Sequence, residues 1–318
     1  MRRALIVGIN DYPKSPLHGC ENDAAAIAAL LARHENGDPN FECRTLLSSQ
    51  GAINQGTLRS QVTELFSHPA QSALLYFSGH GAHTTVDGFL VTQDYASNNW
   101  GVSMAEVLRL AGAATGPKLI QEVFIIIDCC HSGWLGTDSL LRNTDVIPEG
   151  VSILTACSKE QVALERGGHG LFTACVCDAL FGGAADVLGN VTAASIYSYL
   201  HQTFGAWDQR PLFKANLSKL ETIRICSAAV AKPTLRNITA LFPQEDSRFQ
   251  LSPEYEPTSA NYVLEKGNQF TILQKYRAAR LVIPDGEEHL YWAAMHSKSC
   301  SLTPLGRFYW KMVTAGKL

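Results

Sequence analysis

Short apolar runs alternate with amphipathic stretches through the first two thirds of this chain, and each of the main runs ends in small or polar residues. Residues 3–8 (RALIVG) are continuously apolar after the first arginine and stop at Gly8, the pattern of a strand buried on both faces. Asn22 and Asp23 stand where an N-cap would, ahead of a helix over 24–34 with Ile27, Leu30, Leu31 and His34 at one-face spacing. A short strand near 41–47 and a helix near 56–67 follow. Ala73 to Phe77 reads as a second buried strand that runs into Ser78-Gly79-His80-Gly81. Val123 to Ile127 reads as a third, running into Asp128-Cys129-Cys130-His131. A fourth strand over 151–156 precedes helices near 170–181 and 192–204, and Thr222 to Cys226 is the last strand-like run. Strands alternating with helices predict an α/β fold, a mostly parallel sheet with helices on both faces. Ligands bind outside the carboxyl ends of such strands, where both polar clusters fall.

The pattern changes near 228–236. Residues 1–230 are expected to form one domain and 231–318 a small, mainly helical accessory region. Residues 243–261, rich in Pro, Glu and Ser, read as irregular. Helical runs follow near 269–283, 286–296 and 303–314. In the last, Thr303-Pro304 opens the helix, Leu305, Phe308, Tyr309, Met312 and Val313 share a face, and Gly316 stops it.

Composition narrows the class without naming a chemistry. Of 318 residues, 46% are apolar and 17% charged, which excludes a disordered chain. The net charge of −3 divides into −6 for residues 1–230 and +3 for 231–318, too weak a basic excess to imply nucleic acid. No apolar run approaches the roughly 18–20 residues of a membrane span, and the apolar stretch at 4–9 is short for a signal peptide. Nine scattered cysteines are expected to be reduced thiols in the cytoplasm. The pair Cys175 and Cys177 has no second pair to complete a zinc site, so no metal is expected.

A nucleophilic cysteine needs an imidazole to favour the thiolate and later to return a proton. His80, flanked by Gly79 and Gly81, and Cys130, at the end of the most apolar run, supply those two groups. Taken alone, each has a plainer reading as a turn histidine and a buried thiol.

The segments ALIVGINDYP, GCENDA, LLYFSGHG and FIIIDCCHSG, in that order, resemble the caspase-like cysteine peptidases, and among them the metacaspases, over roughly residues 1–225. The 50-residue interval from His80 to Cys130 matches the family's spacing of about 50. The resemblance implies a caspase-like α/β/α sandwich, with His80 as general base and acid and Cys130 as nucleophile. It also implies that the Gly81 and Cys130 amides form an oxyanion hole, and that Cys20, Asp23, Ser78 and Asp128 line the S1 pocket. Two carboxylates there suit a substrate Arg or Lys, since a pocket for Asp would need a basic floor.

Where many metacaspases carry an adjacent aspartate pair for calcium, this chain reads Asn98-Asn99, and Asp87 and Asp94 alone make a poor site for a hard cation. Calcium-independent activity is expected. Arg142, Lys159 and Arg166 are candidate autocleavage positions. The family context suggests a monomeric peptidase in cell death or defence, acting on a partner such as a pore-forming protein. Residues 231–318 could hold a regulatory partner. The competing readings are a non-catalytic scaffold of the same shape and a hydrolase of small esters, which would not need two pocket aspartates.

Overall fold

The computed structural model describes residues 1–84, 87–96, 99–116, 119–130, 146–156, 165–166, 169–204 and 211–318, the side chains of Cys130, Glu165, Arg166 and His169 excepted. The chain divides into two compact units: residues 1–185 with 190–226, and residues 186–189 with 227–318.

The first unit is built on strands β1 (Arg2–Gly8), β2 (Glu42–Leu47), β3 (Ala70–His83), β4 (Gly88–Ala96), β5 (Asn99–Ser103), β6 (Ile120–Cys130) and β7 (Val151–Thr155). Next come the short antiparallel pair β8 (Glu165–Arg166) and β9 (His169–Gly170), then β10 (Asn190–Thr192), β11 (Leu212–Asn216) and β12 (Thr222–Ile225). The main sheet has the order β11-β7-β6-β3-β1-β2, with β11 antiparallel to an otherwise parallel set. Its helices are α1 (Cys20–Ala32), α2 (Gln55–Phe66), α3 (Met104–Thr115), α4 (Leu171–Asp178) and α5 (Ala193–Thr203).

Strand alternation decides which helix covers which face. Leu75, Phe77, Ile125, Ile127 and Cys129 pack with α2 and α3, while Leu74, Tyr76, Phe124 and Ile126 pack with α1, α4 and α5. The result is a three-layer sandwich with both faces dry, as the uninterrupted apolar runs require.

Two local differences from the sequence reading bear on the site. Helix α1 starts at Cys20 with Gly19 as N-cap, so Asp23 lies inside the first turn and is not the cap. The cap is remote: Asn10 Oδ1 accepts from Cys20 N at 3.0 Å, and Gly8 lets the helix close on β1, since a Cβ there would lie 2.6 Å from Cys20 O. The second difference is that β3 does not turn at its glycines. It runs through Ser78-Gly79-His80-Gly81 and pairs antiparallel with β4 only from Gly81 onward.

The second unit holds α6 (Lys232–Arg236), α7 (Ile238–Leu241), α8 (Leu264–Ala278), α9 (Leu290–Met295) and α10 (Pro304–Thr314). A small antiparallel sheet of β13 (Arg248–Gln250), β15 (Ser299–Leu302) and β14 (Val282–Pro284) accompanies them. The irregular reading of 243–261 misses β13, which is only three residues long. Thr303 caps α10 as expected, its hydroxyl accepting from Gly306 N at 3.0 Å. The apolar face of α10 is only partly covered: Tyr309 is buried and Phe308 is exposed. Among the described residues no helix is long and apolar enough to cross a membrane.

Candidate functional site

Strands β3 and β6 lie side by side in a register that pairs Ser78 with Asp128 and His80 with Cys130. Parallel neighbours stand about 4.8 Å apart, so the fold brings together two pairs that are far apart in sequence. All four positions share the strand parity of Tyr76 and Ile126, the face covered by α1 and α4.

The His80 ring is held on two sides. Nε2 lies 2.6 Å from the carbonyl oxygen of Ser15, and the ring centroid is 4.4 Å from that of Tyr12. A carbonyl only accepts, so Nε2 carries the proton and Nδ1 is the basic nitrogen. The histidine is nearly buried, and its backbone N–H donates to Tyr12 Oη at 3.0 Å.

Beside this lies an acidic pocket. Asp23, on α1, and Asp128, near the end of β6, are both buried. Both meet Gly170, the N-cap of α4: a Cβ on that glycine would lie 3.1 Å from Asp128 Oδ2 and 3.2 Å from Asp23 Oδ2. Gly170 N–H donates to the Asp23 carboxylate at 3.2 Å, and Thr173 Oγ1 donates to Asp128 Oδ2 at 2.6 Å. The Tyr76 phenol, 2.6 Å from Thr173 Oγ1, then donates to the same hydroxyl. Ser78 Oγ lies beside that phenol and makes no hydrogen bond of good geometry among the described residues. Cys20 is buried one turn before Asp23 on α1.

Burial pushes the Asp128 carboxyl up to about 7, against the hydrogen bonds from Thr173, and the Asp23 charge pushes it further the same way. The same two carboxylates, behind burial itself, hold the Tyr76 phenol well above its ordinary range. Among the described residues, the groups acting on Asp128 are Thr173 and Asp23.

The structure therefore gathers His80, Ser78, Asp128 and Asp23, and places position 130 next to His80. Gly81 begins the β3–β4 pairing. Arg142 and Lys159 lie outside the described residues, as does the side chain of Arg166, whose backbone is in β8. Sequence reasoning missed Tyr12, Ser15, Gly170 and Thr173. Tyr12 stood inside a motif already singled out. Thr173 looks like any helix residue until α4 is docked on β6.

The two aspartates weighed for calcium have hydrogen-bond donors of their own. Asp94 Oδ1 accepts from Gln55 N at 2.9 Å and Thr92 Oγ1 at 2.6 Å, and Asp87 Oδ1 accepts from Gly88 N at 2.8 Å. These oxygens serve the start of α2 and the turn before β4, and no group of three His, Cys, Asp or Glu that could hold a metal occurs among the described residues.

The family model described as a caspase domain, Peptidase_C14, matches residues 1–220. Among solved structures, the chain is similar to protein GSU0716 from Geobacter sulfurreducens, at 17% identity and a TM-score of 0.51, covering 71% of this chain and 99% of that one. It is also similar to caspase-1 from Spodoptera frugiperda, at 13% identity and a TM-score of 0.50, covering 71% of this chain and 90% of that one. No curated protein matches the chain. A family match over more than two thirds of the chain shows that the protein belongs to the caspase-domain family.

Proposed function

We propose that this protein is a cysteine endopeptidase that cleaves after Arg or Lys. The observation that carries the reading is the pair of buried carboxylates sharing Gly170, Asp23 from α1 and Asp128 two residues along β6 from Cys130, whose register partner is His80. One carboxylate would suffice to cap α4. A second one, buried against the first, is unfavourable unless something positive arrives.

In this reading Nδ1 of His80 takes the Cys130 thiol proton while Ser15 O holds Nε2–H. The sulfur attacks the scissile carbonyl, and the amides of Gly81 and Cys130 receive the oxyanion. His80 then gives the proton to the leaving amine, and water releases the acyl group from sulfur. The substrate guanidinium or ammonium enters between Asp23 and Asp128, with Ser78 and Cys20 on the pocket wall. Calcium plays no part, consistent with the committed oxygens of Asp87 and Asp94.

The proposal extends to a cytoplasmic monomer of metacaspase type, with autocleavage at Arg142, Lys159 or Arg166. Residues 231–318 would be the accessory region that receives a regulatory partner. A role in cell death or defence, through a protein substrate such as a pore-forming protein, follows from family context.

The test is hydrolysis of matched fluorogenic peptides ending in Arg or Asp, with wild type and Cys130→Ala, each in calcium or EDTA. Cleavage after Arg that the mutant loses and EDTA spares is the expected result. Preference for Asp would overturn the pocket and leave the dyad standing. No cleavage of either peptide, together with no labelling of Cys130 by an arginine-mimicking thiol probe, would favour the scaffold.

A further inference from the structure

We infer that Tyr12 is a positioning residue for the His80 imidazole, an assignment that rests on His80 acting as the base. The phenol makes three contacts at once. Its oxygen accepts from the His80 backbone N–H at 3.0 Å and donates to Val91 O on β4 at 3.0 Å, and its ring lies against the imidazole at 51°. It therefore ties the base to the adjoining strand and fixes the plane of the ring on the side that Ser15 leaves open.

Gly79 is the sequence counterpart of this arrangement. A Cβ at position 79 would lie 2.5 Å from the Tyr12 hydroxyl oxygen, so the glycine before the histidine makes room for the phenol where no turn is needed. The segment carrying Tyr12 is itself fixed: Leu17 N–H donates to Asn10 O at 2.9 Å, and Asn10 N–H donates to Ser48 Oγ at 2.9 Å. Tyr12 and Ser15 thus belong to one anchored loop that holds the ring in both orientation and tautomer. An aromatic residue retained only to fill the core would need neither the glycine nor the hydroxyl.

The experiment compares wild type, Tyr12→Phe and His80→Ala. One readout is the pH dependence of kcat and KM on an Arg peptide. The other is the rate of iodoacetamide alkylation at Cys130 against pH, followed by peptide mass. Displacing a base from its productive geometry is a kcat effect, so Tyr12→Phe should lower kcat by about 10–100-fold with KM within about twofold. It should also move the alkylation profile toward that of His80→Ala. Tyr12→Trp, which keeps a ring and an N–H donor, guards against a phenylalanine variant that fails to fold; displaced from the His80 amide, it should show the same loss in kcat. If His80→Ala leaves the alkylation profile of wild type unchanged, the dyad fails and this inference fails with it. If His80→Ala changes the profile while both Tyr12 variants fold and keep wild-type kcat and alkylation, the dyad stands and the positioning role is overturned.

Discussion

Strand β6 buries one carboxylate at each end, Glu122 near its start and Asp128 near its finish, and burial pushes both to about 7. They share one face of the strand, six residues apart. What differs is the company each keeps. Glu122 accepts from Glu221 N at 2.7 Å and has the cations Arg2 and Lys219 near enough to favour its charge, although Glu221 opposes them. Asp128 has hydroxyl and amide donors and a second carboxylate. An equal rise thus marks a carboxylate flanked by cations at one end and a carboxylate facing a second carboxylate at the other. The raised value alone does not distinguish a site; the sign of its neighbours does.

The sharpest way to break that contrast is by substrate selectivity. Asp128→Asn should cost about 100–1000-fold in kcat/KM on an Arg peptide, in the range expected for removing a buried partner of a charged group. Glu122→Gln, at the far end of the same strand, should stay within about twofold. Equal losses would mean that both carboxylates act through stability.

A second contrast is in stability against pH. Asp128 holds a proton in the folded state that the unfolded chain has already lost, so its contribution falls as pH rises from about 4 to 7 and is level above that. Asp128→Asn removes this loss: it should gain nothing below about pH 4 and about 1–2 kcal/mol above pH 7, read by thermal or urea unfolding. A variant that is less active and more stable is the signature of a site held under electrostatic stress. Glu122→Gln removes a similar loss but also gives up the attraction to Arg2, and should gain less.

Ligand binding gives a smaller effect of the same origin. Benzamidine, a small amidinium, should raise the melting temperature of wild type by a few degrees, and more at pH 8 than at pH 6, because its arrival draws the proton off Asp128. The dependence should vanish in Asp128→Asn and persist in Glu122→Gln. The smallest expected effect is none: EDTA should leave the melting temperature within about 1 °C if Asp87 and Asp94 serve only donors of the chain itself.

The sequence made the central strands plain because buried parallel strands are unbroken apolar runs, and 73–77 and 123–127 could hardly be anything else. It was less informative where a residue has two uses. Asp23 has the spacing of a helix cap, yet Asn10 caps α1 from ten residues upstream, leaving the Asp23 carboxylate for the pocket. Gly79 suggests a turn, yet it answers a steric demand made by Tyr12 from 67 positions away. Strands β4 and β5 and helix α3 were not anticipated, since 88–115 mixes periods over short spans. Thr173 and Gly170 owe their place beside the carboxylates to the docking of α4, which no local pattern encodes.

The continuity of β3 through Ser78-Gly79-His80-Gly81 has a consequence for how the molecule breathes. His80 closes the β3–β6 pairing, opposite Cys130 on one side and tied by its amide to Tyr12. Releasing it requires parting β3 from β6 and breaking the bond to Tyr12, so its amide should exchange with deuterium more slowly than those of the surface loops. A base carried on a surface loop could be withdrawn by a local fluctuation. Here the imidazole persists for as long as the sheet does.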